Sequence, residues 1–259
     1  MTIQNIAQNH MSEPMMRVAS GQRINSAADD AAGLAIVEDM TAQIRGLDQG
    51  TRNTMDMQAL VSTAEGGLDT ISDSLNRIRE LSVQSMNGTL TDANREMIQA
   101  EISQLADGIQ AAVGGVQFNG MNLLDGSGQG GLNTASGPDG TGAQVVLNDM
   151  SNLAQAITNY NVTGDFELSD IDAMIADVNA ERANLGATEN RLTHTANANT
   201  ASSINLSDAR SRIGDADIAQ EMMAVNQERV ITEMQILVQQ QTQEQLEQES
   251  QVVAGTTGA

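Results

Sequence analysis

His10 and His194 are the only two histidines in the chain. A zinc-hydrolase helix needs two histidines four residues apart with a glutamate between them, and this pair is far too separated to supply that. A nucleophilic triad needs a histidine near a serine on a strained turn. No such elbow is visible, and His194 sits between Thr193 and Thr195 on a regularly patterned stretch, the setting of a surface or seam residue. Cysteine is absent, which removes disulfides, thiolate metal sites and cysteine nucleophiles. Lysine is absent as well, so all 12 basic residues are arginine. That excludes the phosphate-loop, Schiff-base and kinase lysines together. Asp and Gly recur between residues 125 and 142, but the Asp-x-Asp-x-Asp-Gly spacing of a calcium loop is missing. No catalytic residue, metal or cofactor is expected, and the chain reads as a structural protein rather than an enzyme.

Composition agrees with that reading. The 259 residues are enough for one large domain or two small ones, and 34 acidic residues against 12 basic ones leave a net charge of -22. Such a surface repels nucleic acid and anionic membrane, so neither is an expected partner. Aromatic residues make up 1% of the chain (Phe118, Tyr160 and Phe166, with no Trp), too few for the walls of a usual ligand pocket. The core must be built from Ile, Leu, Val, Met and Ala, residues suited to interlocked helices. No apolar run is long enough to span a membrane. Near the N-terminus Ile3, Ile6, Met11, Met15 and Met16 are broken up by polar residues, so no secretory signal is expected.

Long helices are the elements that this pattern demands. The first runs from near Asp29 to about Met86, with a stripe at Met57, Val61, Ala64, Leu68, Ile71, Leu75 and Ile78. Alternating steps of four and three define one seam against a partner helix. From Met40 to Ile78 the helix would be roughly 60 Å long at about 1.5 Å per residue. Gly46, Gly50, Gly66 and Gly67 interrupt it and mark close contacts or bends. Asn87-Gly88 ends it, and Thr91-Asp92 starts a second helix with a stripe at Ile98, Ile102, Leu105, Ile109 and Val113, closed by Gly114-Gly115. Between about 116 and 168 the character changes. Short strands are expected at Val116–Asn119 and Val145–Leu147, a Gly-rich stretch with a Pro138-Asp139-Gly140 turn between them, and a short helix from Ser151 to Tyr160. Ser169-Asp170-Ile171-Asp172 resembles a helix start. Ile171, Val178, Leu185, Leu192, Leu206 and Ile213 then follow in steps of seven, with Asn199 in the one gap. A further seam lies at Met223, Val230, Met234 and Leu237, and the chain is Gln-rich and unpatterned after Leu246. The fold class expected is mainly α: an elongated rod of long antiparallel coiled-coil-like helices from both chain ends, with a small β-hairpin and loop insert. A soluble monomeric bundle is the plainer alternative.

Several blocks resemble bacterial flagellin. Ser20-Gly21-Gln22-Arg23-Ile24-Asn25-Ser26-Ala27, followed by Asp29-Asp30-Ala31-Ala32-Gly33-Leu34-Ala35-Ile36, is similar to that family's N-terminal signature. Leu75-Asn76-Arg77-Ile78-Arg79-Glu80-Leu81-Ser82-Val83-Gln84 and Gln117-Phe118-Asn119-Gly120 with Leu123-Leu124 follow in the family's order. Asn184-Leu185-Gly186-Ala187 with Asn190-Arg191-Leu192, and Ala209-Arg210-Ser211-Arg212-Ile213 with Asp215-Ala216-Asp217, complete the set. The resemblance covers about 15–126 and 170–224. The ends, Met1 to Val18 and from about Met223 onward, are atypical.

The resemblance implies a structural subunit that polymerises with copies of itself into the flagellar filament for motility. It implies a terminal, inner-wall domain from 1–28 and 225–259, and a helical core domain over 29–224 with its insert at about 116–168. Outer domains would be absent. It also implies an extracellular location reached without a cleaved signal peptide, with an export chaperone and the flagellar cap and junction proteins as partners. Vertebrate Toll-like receptor 5 recognises many flagellins, and the matching positions are Arg77, Leu81, Gln84 and Glu101, with Asn76 departing from a more usual Gln. The same face would be an assembly surface, although Leu81 also suits a seam and Arg77 and Glu101 also suit an ion pair. The alternatives are a hook–filament junction protein, or a secreted flagellin-like binding module that no longer polymerises.

Overall fold

The computed structural model describes residues 13–127 and 131–256, with side chains to residue 248. Expectations for 1–12, including His10, fall outside the described residues. The chain is mainly helical. Residues 13–20 are helical, followed by α1 (Ala27–Ser85), α2 (Asp92–Gly115), α3 (Ser151–Thr158), α4 (Leu168–Gly214) and α5 (Ile218–Thr256). Two antiparallel hairpins lie between α2 and α3: β1 (Gln117–Phe118) with β2 (Met121–Asn122), and β3 (Leu132–Ala135) with β4 (Gly142–Val145). The chain divides into two compact units, one of Met1–Thr41 with Asn205–Ala259 and one of Ala42–Ile204.

In the second unit the seam of α1 is the core. Val61, Ala64, Leu68, Ile71, Leu75 and Ile78 are fully buried. So are Ile171, Val178, Leu185 and Leu192 of α4, while Ile98, Ile102, Ile109 and Val113 of α2 join the same cluster. Burying each such side chain contributes about 1.5–3 kcal/mol. The expected stripes are therefore the faces that meet. Polar pairs on α1 and α4 flank the seam. Arg79 meets Asp172 at 2.6 Å, Asp69 meets Arg182 at 2.9 Å, Gln58 meets Thr193 at 2.8 Å and Asp48 meets Ser203 at 2.9 Å. From each pair to the next, one partner retreats by ten or eleven residues and the other advances by the same number. A constant register of this kind is what two antiparallel helices sharing a seven-residue repeat must show.

Helix ends follow side-chain chemistry. Thr91 caps α2, accepting from the Asn94 N–H at 3.3 Å. Near the start of α1 the backbone of Asp30 is extended (φ -164°, ψ 98°), and its carboxylate accepts from the Gly33 N–H at 2.8 Å. Asp30 is therefore the working N-cap, and the continuous helix begins at Ala31. At the other long helix the first helical residue is Leu168, one before the expected Ser169.

The insert differs from the expected strands in informative ways. Gln117-Phe118 is a strand, but it turns back at once through Asn119 (φ 51°) and Gly120 (φ 77°) to pair with Met121-Asn122. Both turn residues have the positive φ that a two-residue hairpin loop requires. The second hairpin sits earlier than the expected Val145–Leu147, because its partner strand is Leu132–Ala135, inside the stretch read as loop. Leu132 is the one large apolar residue of Leu132-Asn133-Thr134-Ala135, so the run carries little strand signal. At the C-terminal end α5 continues past Leu246 to Thr256, although no apolar pattern supports it there.

Candidate assembly surface

Two of the sequence blocks meet within the first unit. Gln22 and Asp215 form an antiparallel bridge, the Arg23 N–H donates to the Gly214 carbonyl at 2.7 Å, and the Ala216 N–H donates to the Gly21 carbonyl at 3.0 Å. The Arg23 guanidinium reaches the Ile213 carbonyl at 2.6 Å, satisfying a carbonyl that the end of α4 would otherwise leave open. Asp217 caps α5 by accepting from the Ala219 and Gln220 N–H groups at 3.0 and 3.2 Å. Asp29 accepts from the Ser26 and Asn25 backbone N–H groups, and these bonds hold its carboxyl below the ordinary value of 3.8. The signature residues thus build a clasp where one long helix stops and the next begins. Arg17 approaches Glu221 at 3.5 Å across the same unit.

Beyond the clasp, α5 presents apolar side chains to solvent. Met222, Met223, Val230, Ile231, Met234, Leu237 and Val238 are all exposed, five of them by 56–60%. Val230, Ile231, Met234 and Val238 share a shallow groove with Gln235 and Gln239. The expected seam at Met223, Val230, Met234 and Leu237 is present as a helical stripe, without a partner among the described residues. A contiguous apolar stripe of this length marks a surface that another chain covers.

In the second unit the four candidate residues separate into two kinds. The Arg77 guanidinium donates to Glu101 Oε1 at 2.8 and 3.0 Å and to Glu80 Oε2 at 3.0 Å. The bonds to Glu101 first, then those to Glu80, raise its pKa further above the ordinary arginine range. Arg77, Glu101 and Gln84 are exposed. Leu81 is not: it is 2% exposed and belongs to the core cluster with Ile78 and Ile102. It is therefore a core residue and not part of the exposed face.

The β3–β4 hairpin is positioned by Gly46 and Gly50, two of the glycines read as close contacts or bends, by Asn199 at the gap in the α4 seam, and by Asn53, which the sequence did not single out. A Cβ on Gly50 would lie 2.1 Å from the Ser136 carbonyl, and one on Gly46 would lie 2.8 Å from Pro138 Cα. These two glycines form a notch in α1 that receives the hairpin. Asn53 Nδ2 donates to the Ala135 carbonyl at 2.8 Å, and Asn199 Nδ2 of α4 donates to the Ser136 carbonyl at 2.7 Å. Gln99 holds the loop after α3 in the same manner, donating to the Tyr160 carbonyl at 3.0 Å and accepting from the Val162 N–H at 2.8 Å. Glu181 is buried and accepts from the backbone and side chain of Asn148. Among the described residues no group of three His, Cys, Asp or Glu side chains could hold a metal ion, and no helix is long and apolar enough to cross a membrane.

Residues 1–129 match the bacterial flagellin N-terminal helical region, and 168–250 match the bacterial flagellin C-terminal helical region. These matches extend beyond the resemblance read from the sequence and take in 1–18 and 223–250, the end segments expected to be atypical. The chain is 36% identical over 254 residues to the flagellar filament 30.7 kDa core protein of Treponema maltophilum, covering 88% of each chain. It is 37% identical over 235 residues to a flagellin of Halalkalibacterium halodurans, covering 87% of this chain and 85% of that one. The crystal structure of Bacillus cereus flagellin superposes with a TM-score of 0.51 at 30% identity, over 57% of this chain and 88% of that one. With both terminal regions matched and relatives aligned over most of their length, the chain belongs to the bacterial flagellin family of filament structural proteins.

Proposed function

We propose that the chain is a structural subunit that polymerises with copies of itself into the extracellular flagellar filament and so serves motility. The observation that carries this is the apolar stripe of α5, exposed in the single subunit and lying inside the matched C-terminal flagellin region. A helix of 39 residues with that stripe uncovered gains stability only when other helices cover it. Purified subunit added to filament fragments and followed by electron microscopy tests the reading. Growth of tubes from the fragments is the expected result. A subunit that stays monomeric at high concentration overturns it in favour of a secreted binding module.

Finer assignments belong to the same proposal. The segments 1–28 and 225–259 form the inner-wall domain, supported by the exposed α5 stripe. Residues 29–224 form the core, a reading supported between Leu60 and Leu192 by the shared cluster of α1, α2 and α4, whereas the compact unit that holds this cluster runs from Ala42 to Ile204. The exposed face of Arg77, Gln84 and Glu101 is an assembly surface first and a Toll-like receptor 5 contact second. An apolar α5 also suits a chaperone that shields it before export, and the flagellar cap and junction proteins that meet the ends of the polymer. Export without a cleaved signal peptide is consistent with the absence of cysteine, since the unfolded chain then carries no disulfide to re-form.

A further inference from the structure

With no Cys and no Trp in the chain, the thioether of Met is its most oxidisable side chain, and there are 15 of them. Their exposure is uneven. Met150 is 6% exposed in the core, whereas Met222, Met223 and Met234 on α5 are 44%, 60% and 60% exposed, and Met234 lines the apolar groove with Val230 and Val238. We propose that these three methionines form an oxidation-sensitive gate on assembly, acting on the free subunit. A peroxide transfers one oxygen to Sδ: the S–O bond forms, the O–O bond breaks, sulfur is oxidised and the peroxide leaves as water or an alcohol. The product is a polar, chiral sulfoxide on a stripe that must be desolvated for a neighbouring helix to cover it. An oxygen buried there without a donor opposes association. Once the stripe is covered the sulfurs are shielded, so a finished filament resists the same dose. A thiol-driven sulfoxide reductase reverses the step on the free subunit.

This inference rests on the filament reading. The test treats the full-length subunit with graded hydrogen peroxide, maps sulfoxides by peptide mass, and measures growth from filament fragments. Met223 and Met234 are expected to oxidise at least tenfold faster than Met150, with growth falling in step. The variant Met222→Leu, Met223→Leu, Met234→Leu is expected to keep growing after the same treatment, although Met15, Met16, Met55, Met86 and Met97, which are 52–65% exposed and lie off the α5 stripe, still oxidise. In the wild type, treatment with methionine sulfoxide reductase should restore growth. Undiminished growth with all three positions fully oxidised overturns the gate, as does a Leu variant that loses growth as readily as the wild type. An untreated subunit that cannot extend fragments overturns the filament reading, and the gate with it.

Discussion

Asn199 donates its side-chain N–H to the Ser136 carbonyl at 2.7 Å, at the one position where the seven-residue apolar spacing of α4 is broken. Both residues are buried. A leucine there would complete the apolar seam but leave a buried carbonyl without a partner, and the orphaned group costs about 1–3 kcal/mol. Asn199→Leu is therefore expected to lower stability by about 1–2 kcal/mol in denaturant titration. Amides of the β3–β4 hairpin should exchange faster, while those around Leu68 should not. A variant as stable as the parent would remove the proposed role of Asn199 as the hairpin's anchor.

Gly50 and Gly66 lie on one helix and predict opposite outcomes. Helix propensity alone favours Ala over Gly by about 1 kcal/mol. At Gly66 nothing lies within 4 Å of the added carbon, so Gly66→Ala should raise stability by about that amount. At Gly50 the carbon would sit 2.1 Å from the Ser136 carbonyl, so the hairpin must shift. Gly50→Ala should lower stability by about 1–3 kcal/mol, in the range of core overpacking. Thermal melts of the pair, compared side by side, check the notch.

Leu81 and Gln84 distinguish support from contact. Leu81→Ala removes a core side chain and should cost about 2–5 kcal/mol. Gln84→Ala should leave the denaturation midpoint unchanged. If the Arg77 face contacts a partner, Gln84→Ala and Arg77→Ala should weaken that binding without altering the fold. Binding measured on the folded variants reads the face directly, whereas a loss in Leu81→Ala alone reports only on stability.

Three aspartates hold turns, and each has its pKa lowered by the bonds that it accepts. Bonds from the Ser26 and Asn25 backbones lower the Asp29 pKa, bonds from Ser127 and Asn122 lower that of Asp125, and bonds from Thr141 lower that of Asp139. A carboxylate depressed in the folded state stabilises it fully above its unfolded pKa. That contribution is lost as pH falls below the ordinary 3.8 and through the depressed folded values. Between neutral pH and about pH 5 these turns should be unchanged, since ordinary aspartates titrate near 3.9. Amide resonances of Ser26, Ser127 and Thr141 followed on acidification should move only below that range.

Exchange should also separate the two kinds of helix. In the free subunit, amides of α5 from 233 to 248 should exchange much faster than those around Leu68 and Ile71, because exposed side chains leave that part of α5 without packing to hold it. Assembly should protect them. Equal protection in the free subunit would mean that α5 is stable without a partner.

Much of this was legible in the sequence because long seams repeat. Val61 to Ile78 and Ile171 to Leu192 are spaced so regularly that only one face of each helix can be buried, and those faces form the core. Thr91 was readable because a cap demands few residue types, whereas Asn119 was read into a strand and instead begins the turn through Gly120. The β3–β4 hairpin was not, since its place depends on Gly46, Gly50, Asn53 and Asn199, which lie far from it in sequence. A glycine that makes room and one that merely weakens a helix look alike until the neighbour is seen. Leu81 was ambiguous for a related reason: a leucine beside charged residues suits either a surface patch or the seam below it, and only the direction of its side chain decides.

The four polar pairs that flank α1 and α4 carry a consequence for how the chain can change over evolution. Their spacing is matched on both helices, from Asp48–Ser203 to Arg79–Asp172. A heptad deleted between Gln58 and Asp69 alone would leave one side of the ladder out of step with the other. The same deletion matched between Arg182 and Thr193 would restore every remaining pair. The two arms of this core are thus coupled rulers, free to shorten or lengthen only together.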